Sequence, residues 1–224
     1  MSKLPTDLPW SEESLKLLEQ TDKESVKAVC IAIGKAADAK DSKEAAMQCI
    51  TDLATWAKGA GVLWAESYLI TLFPTIMALC ADKQRPVQIK ADAAGAAMMA
   101  ALNPLAVDGM LPLLFKSFEE HRWQTKLGAL KMFAELAKSA PKSVSASLPE
   151  IVVKLMEVAQ DPKPAIKEAA VAALKNCCSV IDNADVYPLI DTVISANMNP
   201  DAEGESCLDK LVATTYVSAV DEPT

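Results

Sequence analysis

Glycine, histidine and aromatic side chains are all scarce in this sequence. Its 224 residues include seven glycines, three tyrosines and one histidine, and only 5% of the residues are aromatic. β-Strands favour aromatic and β-branched side chains, and catalytic proton transfer most often uses histidine. The shortage therefore argues against a strand-rich protein and gives little support for a catalytic centre. Alanine supplies much of the apolar composition, which favours helices that approach one another closely.

Several motifs of enzymes and metal sites are also missing. No Gly-x-x-x-x-Gly-Lys loop is present to hold a phosphate, and no Gly-x-Ser-x-Gly turn carries a nucleophile. The cysteines show no Cys-x-x-Cys or Cys/His ligand spacing. We therefore expect no catalytic residue, no cofactor and no metal ion. His121 is expected to be a solvated turn residue, and four cysteines are expected to act as core hydrophobes: Cys30, Cys49, Cys80 and Cys177.

Positive charge is in deficit as well. The formal net charge is −8, which disfavours a chain that coats DNA or an anionic membrane with its whole surface. No apolar run reaches the roughly 18 residues of a membrane span. The amino end, Met1 to Pro5, has no apolar signal core. We expect a cytoplasmic protein with neither a DNA nor a membrane partner, whose contact with any nucleic acid requires a local basic patch.

What the chain does contain is a repeat, seen most clearly between Leu148 and Ile181. This stretch has two apolar stripes at helical spacing, separated by a turn that contains prolines. An apolar residue followed by proline recurs at separations of 38, 37 and 39 residues, at Phe73-Pro74, Leu111-Pro112, Leu148-Pro149 and Tyr187-Pro188. A period near 40 with two helices per unit indicates a HEAT or armadillo solenoid. We predict an all-α superhelix of about five HEAT helix pairs, wound as a right-handed solenoid.

The predicted organisation has an N-terminal arm at 1–10, irregular HEAT helices at 11–62, and regular repeats at 63–220 in one continuous domain. The regular helix pairs are predicted at 64–81 with 86–102, 104–119 with 122–139, 143–160 with 163–181, and 184–197 with 204–217. The recurring prolines should either begin or kink the first helix of each pair. The last predicted helix has an unshielded apolar face, so we expect the natural sequence to continue beyond Thr224.

Individual residues also predict where some helices begin and end. Asp22 is expected to cap a helix, and the glycines at 59 and 61 are expected to end the next one. Trp123 is expected to pack between repeats. An additional short helix is predicted over Leu15 and Leu18.

Basic residues recur around the start of each second helix. Equivalent positions of a solenoid stack into a line, so these residues are candidates for a basic binding ridge on an acidic body. The alternative is that lysines simply favour solvated helix positions and form inter-repeat ladders with Asp82, Asp92, Glu135, Asp161 and Glu168. The candidate binding residues are Lys83, Arg85, Lys90, Arg122, Lys126, Lys163 and Lys167.

Strings within the repeats resemble one family, the amino-terminal HEAT region of translation elongation factor 3. They include Leu102-Asn103-Pro104-Leu105-Ala106, Arg122-Trp123-Gln124-Thr125-Lys126, Leu148-Pro149-Glu150-Ile151 and Ala213-Thr214-Thr215-Tyr216-Val217. A related segment of the general control translational activator is also similar. The region between Ala36 and Lys43 is shorter than in that family, a departure that falls on the second repeat.

The resemblance implies a ribosome-docking module that contacts small-subunit proteins and rRNA in translation elongation. In that family the ATPase activity belongs to downstream ATP-binding cassettes, which are absent here, so the resemblance implies a non-catalytic chain. The competing hypothesis is a general protein scaffold of HEAT type, such as a tubulin-binding or transport-adaptor module, which also binds partners with its inter-helix loops.

Overall fold

A computed structural model describes residues 8–11, 14, 17, 22–180, 190–191 and 194–195 of the chain. This part consists of helices and short turns, and it contains no β-strand. The predicted all-α class is confirmed. The chain divides into two compact units, Met1–Val144 and Ser145–Thr224.

The described part of the first unit is a series of antiparallel helix pairs. The first pair is α1 (Lys23–Asp38) and α2 (Lys43–Ala60). The second pair has a divided first member, α3 (Leu63–Thr71) and α4 (Phe73–Cys80), followed by α5 (Arg85–Ala101). The third pair begins with a 3₁₀ turn (Pro104–Ala106) and continues as α6 (Val107–Phe118) and α7 (Trp123–Ser139).

The second unit contains one fully described pair, α9 (Leu148–Ala159) and α10 (Pro164–Cys178), whose helices pack against each other. A short helix, α8 (Pro141–Ala146), lies at the division between the units. Lys175 of α10 forms an ion pair with Asp191, with its Nζ 2.8 Å from a carboxylate oxygen. The pair predicted at 184–197 with 204–217 lies almost entirely outside the described residues, as does the helix predicted over Leu15 and Leu18.

The ends of the helices follow the predicted local signals. A carboxylate oxygen of Asp22 accepts the backbone N–H of Ser25 at 2.8 Å, which satisfies an otherwise unpaired donor at the start of α1. Gly61 ends α2 with a φ of 63°, a left-handed conformation that glycine adopts without steric cost. Both predicted ends are confirmed.

The recurring prolines have two structural roles. Pro74 and Pro149 are each the second residue of a helix, so they mark where α4 and α9 begin. Pro112 instead lies inside α6, which continues through it. Its missing N–H leaves the carbonyl of Asp108 without a helical donor, and both residues are exposed, so water can satisfy that carbonyl. Pro188 lies outside the described residues.

The core consists of apolar residues at helical spacing on the facing sides of these helices. Met98 and Met99 of α5 are fully buried, as is Phe133 of α7, and the four cysteines predicted to be core residues are buried too. A first helix and a second helix approach closely where glycine replaces a side chain. A Cβ built on Gly128 of α7 would lie 2.9 Å from the Cys80 sulfur.

Contacts between consecutive pairs confirm the period near 40. The Ser139 hydroxyl donates to the Met99 carbonyl at 3.0 Å, and the Asn103 N–H donates to the Glu66 carboxylate at 2.9 Å. These partners are 40 and 37 residues apart. Burial raises the pKa of Glu66, and the Asn103 N–H partly offsets that rise.

Within the described residues, no single helix is long and apolar enough to cross a membrane. Two bent helix pairs meet the length and composition required, Leu63–Thr71 with Phe73–Cys80 and Arg85–Ala101 with Pro104–Phe118.

Candidate functional site

The candidate site lies at the turns that connect the first helix of a pair to the second helix of the same pair. Lys83, Arg85 and Arg122 lie in or beside these turns in the first unit, and all three side chains are exposed. Lys163 and Lys167 are exposed at the corresponding end of α10 in the second unit. We call the exposed basic residues of the first unit at this end the basic turn edge: Lys40, Lys83, Arg85 and Arg122.

Asp82 organises the turn between α4 and α5. One of its carboxylate oxygens accepts the Gln84 N–H at 2.8 Å, and the other accepts the Lys43 ammonium at 2.6 Å. Its backbone carbonyl accepts the side-chain amide of Gln88 at 2.6 Å. The hydrogen bond from Lys43, followed by that from Gln84, lowers the pKa of Asp82 below the usual carboxyl value. These bonds fix the turn, so that Lys83 is exposed at its tip.

The same local chemistry recurs in the second unit. A carboxylate oxygen of Asp161 accepts the N–H of Lys163 at 3.0 Å, an Asx turn like that of Asp82 and Gln84. The turn before α7 has Glu120 and His121 in place of the aspartate. His121 is exposed there, as predicted.

The helix starts give the register of the candidate residues. Arg122 and Lys163 each lie one residue before a second helix, and the equivalent residue in the α4–α5 turn is Gln84. Lys126 and Lys167 are each the fourth residue of such a helix, where α5 has Gln88. Both positions are therefore basic at the starts of α7 and α10. At the start of α5 the first position is Gln84, and Lys83 and Arg85 lie on either side of it.

Lys90 differs from the other candidates. It is half-buried, and its ammonium group donates to the side-chain carbonyl of Gln48 on α2 at 2.5 Å. This bond braces α5 against the preceding pair. The register also separates Lys90 from the others, because the equivalent residues are Gly128 and Ala169. Lys126 is half-buried as well.

Three of the acids expected to neutralise the candidate cations are paired with other lysines. Asp82 binds Lys43, and Asp92 binds Lys131. Glu135 binds Lys138 on the same helix at 2.7 Å. Arg85 donates instead to the neutral side chain of Gln88 at 3.0 Å. These three acids therefore do not neutralise the basic turn edge, although Asp38, Asp41, Glu119 and Glu120 are exposed in or beside the same turns.

Sequence reasoning missed the contribution of the first pair and of α6. Lys40 is exposed in the turn between α1 and α2, and Lys116 is exposed near the end of α6. The signal for Lys40 was its position just before a second helix, the same placement that identified Lys83. Together with Arg122, these side chains line two open cavities of about 410 and 480 Å³, which share Ala78 and Arg122.

Trp123 is packed only in part, so its packing between repeats stays a prediction. Its side chain is 37% exposed at the start of α7. It lies next to Arg122, so the basic turn edge includes an apolar surface.

Cysteine chemistry finds no support in the described part of the chain. Burial raises the pKa of Cys30, Cys80 and Cys177 to about 12 in each case. A thiol with such a pKa stays protonated at neutral pH and is a poor nucleophile. Within that same part, no group of three or more His, Cys, Asp or Glu side chains is arranged to hold a metal ion.

Comparison with known proteins gives consistent matches. The family model for the EF3 N-terminal HEAT repeat matches residues 12–174. Elongation factor 3 of Gonapodya prolifera is 35% identical over 176 residues, which are 78% of this chain and 16% of that protein. The stalled ribosome sensor GCN1 of Homo sapiens is 32% identical over 158 residues, which are 70% of this chain and 6% of that protein. The chain thus spans only a small part of the length of these relatives.

A solved structure supports the fold. A chain from the structure titled "Structural Basis of Microtubule Plus End Tracking by XMAP215, CLIP-170 and EB1" superimposes with a TM-score of 0.59 over 89% of this chain and 84% of its own length. Its sequence identity is 17%, so the likeness concerns the fold alone. The family model, in contrast, matches well over half of the sequence. The chain therefore belongs to the EF3 N-terminal HEAT repeat family.

Proposed function

We propose that this chain is a non-catalytic binding module that docks on the ribosome during translation elongation and acts in the cytoplasm. Membership of the EF3 N-terminal HEAT repeat family is the observation that carries the proposal. Relatives named elongation factor 3 and stalled ribosome sensor share this segment. The matched segment is 16% of one relative and 6% of the other, so it occurs in proteins of different length, which favours a shared binding partner.

The basic turn edge is the proposed contact surface for rRNA or for ribosomal proteins. The chain as a whole has a charge of −8, yet Lys40, Lys83, Arg85 and Arg122 are exposed along one edge. Phosphate groups attract such a local cluster even when the total charge is negative. In the second unit, Lys163 and Lys167 are proposed as contact residues, and Lys126 is proposed to add to the contact of the first unit. Lys90 is a weaker candidate because it is engaged with Gln48.

Sedimentation with purified small ribosomal subunits tests this proposal. We expect the chain to pellet with subunits at low salt and to be released as salt rises, because counterions compete for the phosphates. No pelleting at either salt concentration would contradict ribosome docking by this chain. Pelleting with microtubules instead would support the competing scaffold hypothesis.

Matched charge variants assign the contact to the turn edge. Lys83→Glu combined with Arg122→Glu reverses two exposed cations of that edge and should abolish pelleting at moderate salt. Lys27→Glu combined with Lys58→Glu makes the same change in net charge at exposed positions near the opposite ends of helices. This control should retain binding, and equal loss in both variants would indicate a non-specific charge effect.

A further inference from the structure

Two open cavities lie next to each other on the turn edge, and Arg122 borders both. The cavity of about 410 Å³ lies between α4 and α6, and its apolar lining residues are Phe73, Pro74, Met77, Ala78 and Leu113. Phe73 and Met77 are buried beneath it, with 3% and 5% of their surface exposed. We call this cavity and the adjoining one the turn-edge groove.

The polar groups at the base of the groove are used internally. The Thr125 hydroxyl donates to the Met77 carbonyl at 3.5 Å, and the Ser117 hydroxyl donates to the Leu113 carbonyl at 3.0 Å. A ligand therefore meets an apolar floor, on which an apolar side chain gains about 25 cal/mol for each Å² that it buries. The floor also lacks an exposed aromatic face on which a base could stack, since Phe73 is buried.

The rim of the groove carries an excess of positive charge. Lys116 and Arg122 border the first cavity together with Glu120. Lys40, Lys83 and Arg122 border the adjoining cavity together with Asp38, and the carboxylate of Asp82 there is engaged by Lys43. In the described part of the chain, none of Lys40, Lys83, Lys116 and Arg122 forms an ion pair. Their charge is available to a ligand.

We propose that the turn-edge groove binds an acidic peptide segment of a protein partner, with an apolar side chain on the groove floor and carboxylates on the basic rim. An apolar floor with a cationic rim is complementary to such a segment and gives RNA little to stack on. The peptide site rests on the proposed function. It adds a specific ligand, a protein segment that binds at the Arg122 end of the turn edge.

Selection from a phage-displayed library of random peptides tests this inference with the whole chain as bait. We expect the enriched peptides to combine Asp or Glu with Leu, Phe or Met. Their affinity for the chain, measured by fluorescence anisotropy, should fall about tenfold or more in Arg122→Glu. Ala78→Trp should have the same effect, because Ala78 is exposed and lines both cavities. Ala60→Trp, at an exposed position ending α2, is the matched control and should bind normally.

The outcomes separate this inference from the proposed function. Enrichment of no peptide, or of peptides whose affinity is unchanged in Ala78→Trp, would overturn the groove as a peptide site even if the chain still pellets with ribosomal subunits. Displacement of the selected peptides by a tighter-binding single-stranded RNA would also overturn it. If acidic peptides bind in the groove but the chain does not pellet with subunits, ribosome docking fails and the peptide site stands.

Discussion

At the scale of single residues, Asp82 has the largest structural role on the candidate edge. It joins three polar groups around one turn, and its ion pair with Lys43 links two consecutive helix pairs. The side chains of Lys43 and Asp82 are 23% and 10% exposed, so solvent screens this pair only in part. Loss of the carboxylate should therefore loosen both the turn and the contact between pairs.

Asp82→Asn should lower the free energy of unfolding by about 1 kcal/mol near neutral pH. The pKa of Asp82 is lower in the folded chain than in the unfolded one, so its stabilisation is complete above the ordinary carboxyl pKa. That stabilisation is lost as the pH falls through the lower, folded value. The difference from the wild type should hence shrink below about pH 4, as measured by urea unfolding at several pH values.

Asp41→Asn is the matched control for this pH effect. Asp41 is exposed in the neighbouring turn, and its substitution should leave stability nearly unchanged at every pH. A constant difference between wild type and Asp82→Asn down to pH 2 would contradict the ion-pair account.

The sequence predicted only some of the side-chain contacts on this edge. One interpretation of the sequence placed Asp82 in a ladder of ion pairs between repeats, and it does pair with a lysine of the preceding helix pair. The partner, Lys43, was not identified because it lies 39 residues earlier. Which lysine comes within reach depends on the stacking of one pair on the next, which sequence spacing does not specify. Lys90 was predicted to be a candidate binding residue. Its hydrogen bond to Gln48 was not foreseen for the same reason, since Gln48 lies 42 residues away.

At the scale of helices, the elements from Leu63 to Cys178 follow the predicted pairs closely. The apolar stripes at helical spacing and the prolines at first turns supply strong signals for their existence. The break between α3 and α4 was predicted only as a kink or start near Pro74. The continuity of α6 through Pro112 depends on solvent access to one carbonyl, which the sequence pattern does not reveal.

The close approach at Gly128 gives a prediction about helix packing. Gly128→Ala should destabilise the protein by about 1–3 kcal/mol, because the added methyl group would lie 2.9 Å from the Cys80 sulfur and 3.2 Å from its Cβ. Removing that sulfur with Cys80→Ala in the same chain should recover part of the loss. Thermal unfolding of the two single variants and the double variant measures the coupling, and strict additivity would contradict a clash between these residues.

Gly34 is the opposite case on α1. Apart from its chain neighbours and the backbone of its own helix, no atom lies within 4 Å of a Cβ built there, so Gly34→Ala should gain helix propensity without a clash. We expect a stabilisation of about 1 kcal/mol, seen as a higher melting temperature. A lower melting temperature would mean that α1 is packed more closely at Gly34 than the structure indicates.

At the scale of the whole molecule, the chain is acidic, and the candidate edge has exposed cations together with exposed acids. The acidic total disfavours broad attraction to nucleic acid, while the basic turn edge permits a local contact. The fold class and family were accessible from sequence because the period and the strings repeat along most of the chain. The turn-edge groove was not accessible, since it depends on the space left between α4 and α6. The division at 62 and 63 stays a prediction.

The two edges of the first unit carry natural reporters of binding. Trp123 is the first residue of α7, and its side chain is 37% exposed. Ile89 is the fifth residue of α5, and its side chain is 55% exposed. Leu63 and Leu105 are exposed at the starts of first helices, 61% and 91%. Because α5 has 17 residues, the two edges lie roughly 25 Å apart.

Hydroxyl-radical footprinting of the chain bound to small ribosomal subunits tests docking through the basic turn edge most directly. The account predicts that Trp123 and Ile89 become protected from oxidation on binding, while Leu63 and Leu105 keep the reactivity that they have in the free chain. Protection of Leu63 and Leu105 with no change at Trp123 and Ile89 would contradict it.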